Sequence, residues 1–429
     1  MEPISDEAVQ RLTDRLLAAQ QQLARRPVAE ILALLDRVVQ RWLDPADPIR
    51  REAEERLAET THLAPAMLQR GLEEMLRRVA GIPELLDQDL GDRRVLDTFV
   101  PRGTGVRSRA VGPGLLVAVF SGNVPGIPAF DMAMALALKS ACLARPASEE
   151  PVFAELFARS VAEVDELLGR CLAVAYWPHE AREPYRRAGA VLAYGSDESI
   201  AAIRSLVPEG VRFLGHGHKI SFAVVDRAAA TAETARRLAL DVAMYDQQGC
   251  VSPHMAFVER GGPLSPQAFA QTCAEALAEL EQQMPRGPLT QAEAMALRAV
   301  RDEAEFAADA FFGSPGSLAW AVIHSEQPDF MPSPLNRVLR TYAIDGTADV
   351  LTVVAPWSSL LQTVAFAGPD EQAVALGNGL ATLGASRICP IGWAQQPGPL
   401  WRHDGRPTAG DLVRWTDMEL EVTPCRTHR

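Results

Sequence analysis

Of the six cysteines, Cys250 has the most suggestive surroundings, in Asp246-Gln247-Gln248-Gly249-Cys250-Val251-Ser252-Pro253-His254. The segment follows a long helical pattern and precedes an apolar strand pattern. Gly249 permits close backbone approach, and Pro253 ends any helix. A thiol on such a loop is placed for exposure at a cleft between two domains. Its chemistry there would be thioester exchange, because a thiolate both attacks and leaves and the acyl-enzyme stays activated. A free cysteine is equally a small hydrophobe that fills cores, and the local sequence leaves both readings open.

Three turns share a second kind of chemistry. Ser121-Gly122-Asn123-Val124-Pro125-Gly126 follows the apolar run Leu115–Phe120, and strand–turn–helix junctions are where α/β sheets present ligand-binding loops. Asn123 can donate its amide to a developing oxyanion, although Asn also suits a tight turn by bonding its own backbone. Arg145-Pro146-Ala147-Ser148 ends another short run, and Gly195-Ser196 ends Val191–Tyr194. All three should lie at one sheet edge, where helix amides receive phosphate and an Arg holds it bidentately. Lys219 suits neutralising a nearby charge. His216 and His218, two residues apart with no third ligand nearby, do not make a convincing metal site, and no metal is expected. There is no Walker A loop, G-x-S-x-G elbow, H-E-x-x-H helix or strict G-x-G-x-x-G.

The elements that must position these residues fall into four stretches. Residues 1–95 repeat apolar positions at three-to-four spacing, as in Ile31, Leu34, Leu35, Val38, Val39 and Trp42, and read as amphipathic packing helices. Residues 96–245 alternate short apolar runs with helical patterns: Leu115–Phe120 then Ile127–Ser140, Leu172–Trp177 then Glu180–Arg187, Val191–Tyr194 then Ser196–Leu206, Ile220–Val225 then Ala228–Tyr245. That alternation predicts βαβ units and a mainly parallel sheet. Residues 246–395 resume it, with strands expected at Met255–Val258, Leu318–Ile323, Val350–Val354, Thr363–Phe366 and Arg387–Ile391 and helices near Pro266–Met284 and Gln291–Ala310. In residues 396–429 apolar and acidic residues alternate over Trp415–Val422, the pattern of a half-buried strand docking elsewhere, on another subunit if one is present.

Composition bounds the function classes. A 429-residue chain with 48% hydrophobic and 23% charged residues is globular and long enough for two or more domains. A net charge of −13 argues against nucleic acid as a partner. Six scattered cysteines without a C-x-x-C pair fit reduced thiols in a cytoplasmic protein. The apolar zone Val111–Ala144 is broken by Gly, Pro, Asn123 and Asp131, so no membrane span is expected.

Taken in order, Ser121–Gly126, Arg145–Ser148, Gly195-Ser196, Lys219 and Cys250 resemble the aldehyde dehydrogenase superfamily, and more closely its acyl-CoA reductases of the LuxC type. Ser386-Arg387-Ile388-Cys389-Pro390-Ile391-Gly392, His403-Asp404-Gly405-Arg406 and Leu412-Val413-Arg414-Trp415 are similar to that family's ending. The resemblance implies an α/β fold with a Rossmann-type cofactor domain at 96–245, an α/β catalytic domain at 246–395 and a small oligomerisation element, hence a homo-oligomer. It implies Cys250 as nucleophile, Asn123 as oxyanion donor, and Arg145, Ser148, Gly195, Ser196 and Lys219 as cofactor-binding residues. The superfamily's hydrolytic Glu falls at Gly215, which favours acyl reduction over aldehyde oxidation. Arg145, where the superfamily usually has Lys, points to NADPH over NADH. The expected activity is reduction of a CoA or acyl-carrier-protein thioester to the aldehyde, with an acyl-protein synthetase as possible partner. The rivals are an oxidative aldehyde dehydrogenase and an acyl-transfer subunit without redox chemistry.

Overall fold

The structure, a computed structural model, describes residues 2–103 and 105–420. The end of the expected C-terminal alternation, Glu421 and Val422, and Cys425 lie outside the described residues. No helix among the described residues is long and apolar enough to cross a membrane.

Five helices, Asp6–Leu23, Val28–Leu43, Pro48–Thr61, Pro65–Ala80 and Ile82–Leu90, open the chain. Their starts follow capping chemistry: Ser5 accepts from the Ala8 N–H, and Asp47 caps a helix that begins with Pro48. Their apolar stripes (Ile31, Leu35, Val38 and Trp42 on the second) are buried in one continuous core with the first sheet. The helical segment is therefore part of that domain's core.

That first sheet is fully parallel and five-stranded, in the order Leu172–Val174, Ala141–Arg145, Leu115–Val119, Ala190–Tyr194, Arg212–His216. Leu115–Val119 is buried throughout, as a central strand covered on both faces must be. Strand order reverses between Leu115–Val119 and Ala190–Tyr194, which opens a crevice at their carboxyl ends. A seven-stranded sheet follows, ordered Ala310–Gly313, Ala321–Ser325, Val338–Ile344, Pro253–Glu259, Ile220–Val225, Leu361–Ala367, Arg387–Pro390. Only its first pair is antiparallel. Val100–Gly103, Val106–Val111 and Arg414–Glu419 form a small antiparallel sheet.

Several expectations change. Ile220–Val225 and the helix Ala232–Ala243 belong with the seven-stranded sheet, so the boundary expected at residue 245 falls near Lys219. Val350–Val354 reads as a strand but lies in the helix Asp349–Val354, because Val350 and Val354, one turn apart, are the positions that bury. Glu180–Arg187 forms only a single tight turn, Glu183–Tyr185, around Pro184. The C-terminal strand pairs with Val106–Val111 of its own chain, and its side chains are mostly exposed rather than half buried.

One local device shapes the loop that carries Cys250. Tyr245, Asp246 and Gln247 all have left-handed backbone, with φ of 51, 50 and 68°. Leu335, Asn336 and Arg337 form a second such run, with φ of 66, 56 and 64°. Left-handed backbone costs a non-glycine residue about 1–2 kcal/mol, so both runs need outside support. Arg337, with no solvent exposure, supplies it: Nε donates to Asp246 Oδ1 at 2.9 Å and Nη1 to Glu281 Oε2 at 2.8 Å. Asp246 also accepts the Gly287 N–H at 3.0 Å, and the Asn336 N–H donates to the Asp246 carbonyl at 3.1 Å. Gln247 donates to the Pro253 and Val338 carbonyls at 2.8 and 3.0 Å and accepts the Val338 N–H at 3.0 Å. Behind them Tyr245 packs on Gly71, where a Cβ would lie 2.4 Å from the Tyr245 hydroxyl.

Replacing Arg337 with Met removes the direct ion-pair partner of the Asp246 carboxylate. The expected loss is about 3–5 kcal/mol, read as a lower urea midpoint with an unchanged slope, whereas Arg337→Lys should lose less.

Candidate active site

The carboxyl edge of the five-stranded sheet faces the amino edge of the seven-stranded one across a cleft of about 670 Å³. Ser121, Asn123, Gly195, Ser196, Lys219 and Cys250 all line it. Arg145 and Ser148 do not. Ser148 is exposed. Arg145 is turned away and buried, its Nε donating to the Trp177 carbonyl at 3.1 Å and its guanidinium lying 4.3 Å from the Tyr176 ring centre.

Cys250 is partly exposed, while the other described cysteines, Cys142, Cys171, Cys273 and Cys389, are buried. Its loop is tied on every side. The Ser221 hydroxyl donates to the Cys250 carbonyl at 2.8 Å, and Gln395 Nε2 donates to Ser252 Oγ at 2.7 Å. Asn123 Nδ2 donates to the Gln248 carbonyl at 2.8 Å and its Oδ1 accepts from Ser121 at 2.7 Å, so the turn of one sheet is fastened to the cysteine loop of the other. Burial pushes the thiol up to about 11, with the Asp404 charge adding to the rise and Gln362 and Arg78 pulling it back. At neutral pH the resting group is a thiol.

Sequence reasoning missed four residues in or beside the cleft. Arg78 comes from the N-terminal helices, where no catalytic group was expected. Its guanidinium lies 4.1 Å from the Phe130 ring centre and 5.3 Å from that of Trp401, and its Nε has no hydrogen-bond partner among the described residues. It is a cation near Cys250 that no local pattern announces. Gln362, His403 and Asp404 complete the set. His403 and Asp404 were quoted only as a family-like ending, and Gln362 had no signal. His216 meets Asp404 at 2.6 Å, and Asp404 also accepts from Gln362 Nε2 at 2.9 Å. His216 and His218 do not converge; the His218 backbone N–H donates to Asp197 at 2.9 Å.

His254 is buried, and its Nδ1 accepts the Ser333 N–H at 3.2 Å. Burial lowers it to about 4, with His218 adding to the drop, so it stays neutral and its role is to hold the strand start.

Two α/β sheets meeting across a cleft that holds a partly exposed cysteine define the aldehyde dehydrogenase fold. The NAD-dependent benzaldehyde dehydrogenase of Corynebacterium glutamicum superposes with a TM-score of 0.71 at 16% identity, over 97% of this chain and 91% of that one. Proline utilization A matches with a TM-score of 0.73 at 15% identity, over 97% of this chain, which spans 45% of that longer protein. The chain belongs to the acyl-CoA reductase (LuxC) family, which it matches over residues 23–415. The long-chain acyl-protein thioester reductase 2 of Photobacterium leiognathi is 26% identical over 348 residues, 79% of this chain and 71% of that protein.

Arg78 favours the thiolate, so Arg78→Met should slow alkylation of Cys250 by iodoacetamide at pH 8 by roughly three- to tenfold. In the wild type the rate should climb with pH toward about 11, as expected for a raised thiol.

Proposed function

We propose that the protein reduces an acyl thioester, carried on CoA or an acyl carrier protein, to the aldehyde through an acyl-Cys250 intermediate, with NADPH as hydride donor. The observation that carries this reading is the meeting of Cys250, Asn123 and the Gly195-Ser196 turn in one cleft between the sheets. Cys250 attacks the thioester carbon and the carrier thiol leaves. The developing oxyanion takes the Asn123 amide, released from the Gln248 carbonyl, and the Cys250 N–H, which already lies beside its own sulfur. When bound, the cofactor supplies the hydride that reduces the acyl carbon. Gly215 lies on the strand before Lys219 and offers no carboxylate to activate a hydrolytic water. The acyl group therefore survives to be reduced, which disfavours the oxidative reading.

The residues present suit a dinucleotide. Ser196 caps the ten-residue helix Asp197–Leu206, its hydroxyl accepting from the Ser199 N–H at 3.2 Å. The Glu198 carboxylate is held below its usual range by its own N–H and by the Ser196 hydroxyl. A carboxylate thus stands where a pyrophosphate would sit at a helix N-terminus. Lys219 waits nearby, its Nζ donating to the Ser359 carbonyl at 2.8 Å. With the Arg145 side chain spent on Trp177 and Tyr176, the choice of NADPH over NADH rests on the sequence resemblance alone. A homo-oligomer is supported by the outer edge of Arg414–Glu419, which pairs with no other strand among the described residues. An acyl-protein synthetase as acyl donor remains part of the same proposal.

Intact-mass analysis after exposure to a panel of acyl thioesters should show a single acyl adduct in the wild type and none in Cys250→Ser; undiminished aldehyde formation by that variant would sink the assignment. Asn123→Ala should lower the rate roughly 10²–10³-fold, the usual effect of losing one oxyanion donor. Glu198→Gln removes the competing carboxylate and should lower KM for NADPH with little change in kcat, and an unchanged or raised KM would contradict the cofactor placement.

A further inference from the structure

Beside Cys250 lies a polar cluster to which neither the family nor the proposed reaction assigns work. His216 ends the last strand of the five-stranded sheet, and Asp404 comes from the C-terminal segment 188 residues later. The Asp404 backbone is left-handed, with φ of 53°, and this turns its carboxylate inward. One oxygen meets His216 Nδ1 at 2.6 Å and the other accepts from Gln362 Nε2 at 2.9 Å. The Gln362 side chain in turn lies against the Cys250 thiol, and its Oε1 has no partner among the described residues. The His216 ring is clamped between Tyr194, 4.8 Å away, and His403, 4.2 Å away. The Tyr194 hydroxyl donates to Asp131 at 2.9 Å.

Two functions suit two imidazoles and a carboxylate, and the geometry chooses between them. The donor atoms of His216, His403 and Asp404 lie within 4.8 Å of one another, as a metal site would require. The two rings, however, stack with only 14° between their planes, so their in-plane lone pairs run side by side and do not converge. The Nδ1 of His216 is also already committed to Asp404. That bond assigns the proton to Nδ1 and leaves Nε2 as an acceptor in a cleft shared with the thiol. A carboxylate that orients an imidazole beside a nucleophile is the arrangement that activates one.

We propose that His216, oriented by Asp404, is the proton-transfer group of the Cys250 site. The Cys250 S–H proton passes through one cleft water to His216 Nε2 as sulfur bonds to the thioester carbon. The imidazolium, neutralised by Asp404, returns that proton to the departing carrier thiolate as its C–S bond breaks. Acyl transfer is thereby proton-neutral. In the reductive half, hydride addition reduces the acyl carbon by two electrons. The Cys250 C–S bond then breaks to release the aldehyde, and the Cys250 thiolate is reprotonated from solvent by the same imidazole. Asp404 and Gln362 are positioning residues. Burial pushes the Asp404 carboxyl up, but hydrogen bonds from His216 and Gln362 and the neighbouring imidazoles hold it well below the usual carboxylate range, so it is ionised throughout. His403 is pulled well down, chiefly by burial, which leaves it neutral.

The proposal rests on the acyl-Cys250 reading, and single-turnover acylation of the full-length protein separates the two. The rate of the Cys250 mass shift with an acyl-CoA is followed against pH in wild type, His216→Gln, His216→Ala and Asp404→Asn, with iodoacetamide labelling of Cys250 and circular dichroism as checks on fold. His216→Gln should acylate roughly 10²–10³-fold more slowly near neutral pH, its residual rate following the Cys250 thiol's own rise toward about 11. Imidazole in the buffer should restore His216→Ala at least several-fold, a response that a merely structural role would not give. Asp404→Asn, which keeps the shape of the side chain, should lose roughly tenfold or more. The profile also feels Asp131, Tyr194, Arg78, Lys219, His403 and Cys250, all of which face the cluster, so the decisive sign is the neutral-pH rate lost in His216→Gln. A wild-type rate and profile in a folded His216→Gln, or in Asp404→Asn should His216→Gln not fold, overturns the proposal. A wild-type protein whose Cys250 labels with iodoacetamide yet never acylates overturns the acyl-Cys250 reading instead.

Discussion

A guanidinium with no access to water holds this site in shape. Arg337 joins Asp246 and Glu281, and in doing so fastens two left-handed runs of backbone to each other. Six strained residues would cost several kcal/mol if unsupported. The ion pairs themselves need not add net stability, since desolvating buried charges costs about as much as their attraction returns. What they enforce is geometry. With Gln247 consumed by Pro253 and Val338, and the Cys250 carbonyl consumed by Ser221, the thiol is left as the loop's free reactive group. The N-terminal helices enter the same constraint through Tyr245 on Gly71, so a segment that looks like packing also fixes the back of the nucleophile loop.

Charge decides how the site handles anionic ligands. A chain at net −13 repels CoA and a nicotinamide dinucleotide at long range, so attraction has to be local. On the proposed reading Arg78 and Lys219 in the cleft and the helix amides behind Ser196 would provide it. The Glu198 carboxylate, held by its own N–H and the Ser196 hydroxyl, would compete there with an anionic ligand on the proposed reading. Burial likewise favours the protonated Cys250 thiol at rest, the form less prone to oxidation.

The parallel sheets were legible because fully covered strands are short unbroken apolar runs. Leu115–Val119, Ala190–Tyr194 and Ile220–Val225 stand where such runs place them. Arg212–His216, polar and interrupted by Gly215, carried no such signal. Val350–Val354 misleads because β-branched residues suit either element when the buried pair is one turn apart. That Cys250, Asn123 and Ser196 line one cleft was readable because they sit on turns whose local chemistry is distinctive. Arg78, Gln362 and Asp404 were not, since each gains its meaning from residues more than a hundred positions away that only folding brings near. Arg145 shows the converse: its place in the sequence is suggestive, while its side chain is spent on Trp177 and Tyr176.

The two ends of the chain converge on the reaction centre for a reason of topology. A cleft between the carboxyl edge of one sheet and the amino edge of another has walls but no natural cover, because the connecting helices lie on the sheet faces. Here Arg78 from the N-terminal helices and Trp401, His403 and Asp404 from the C-terminal segment supply that cover, with Arg78 over the Trp401 ring at 5.3 Å and Trp401 tilted against His403 at 4.7 Å. Limiting bulk water in this way strengthens charge interactions inside and, on the proposed reading, would shield the acyl thioester from hydrolysis. The same cover carries Asp404 to His216, so enclosing the site and assembling its acid–base pair are one structural event.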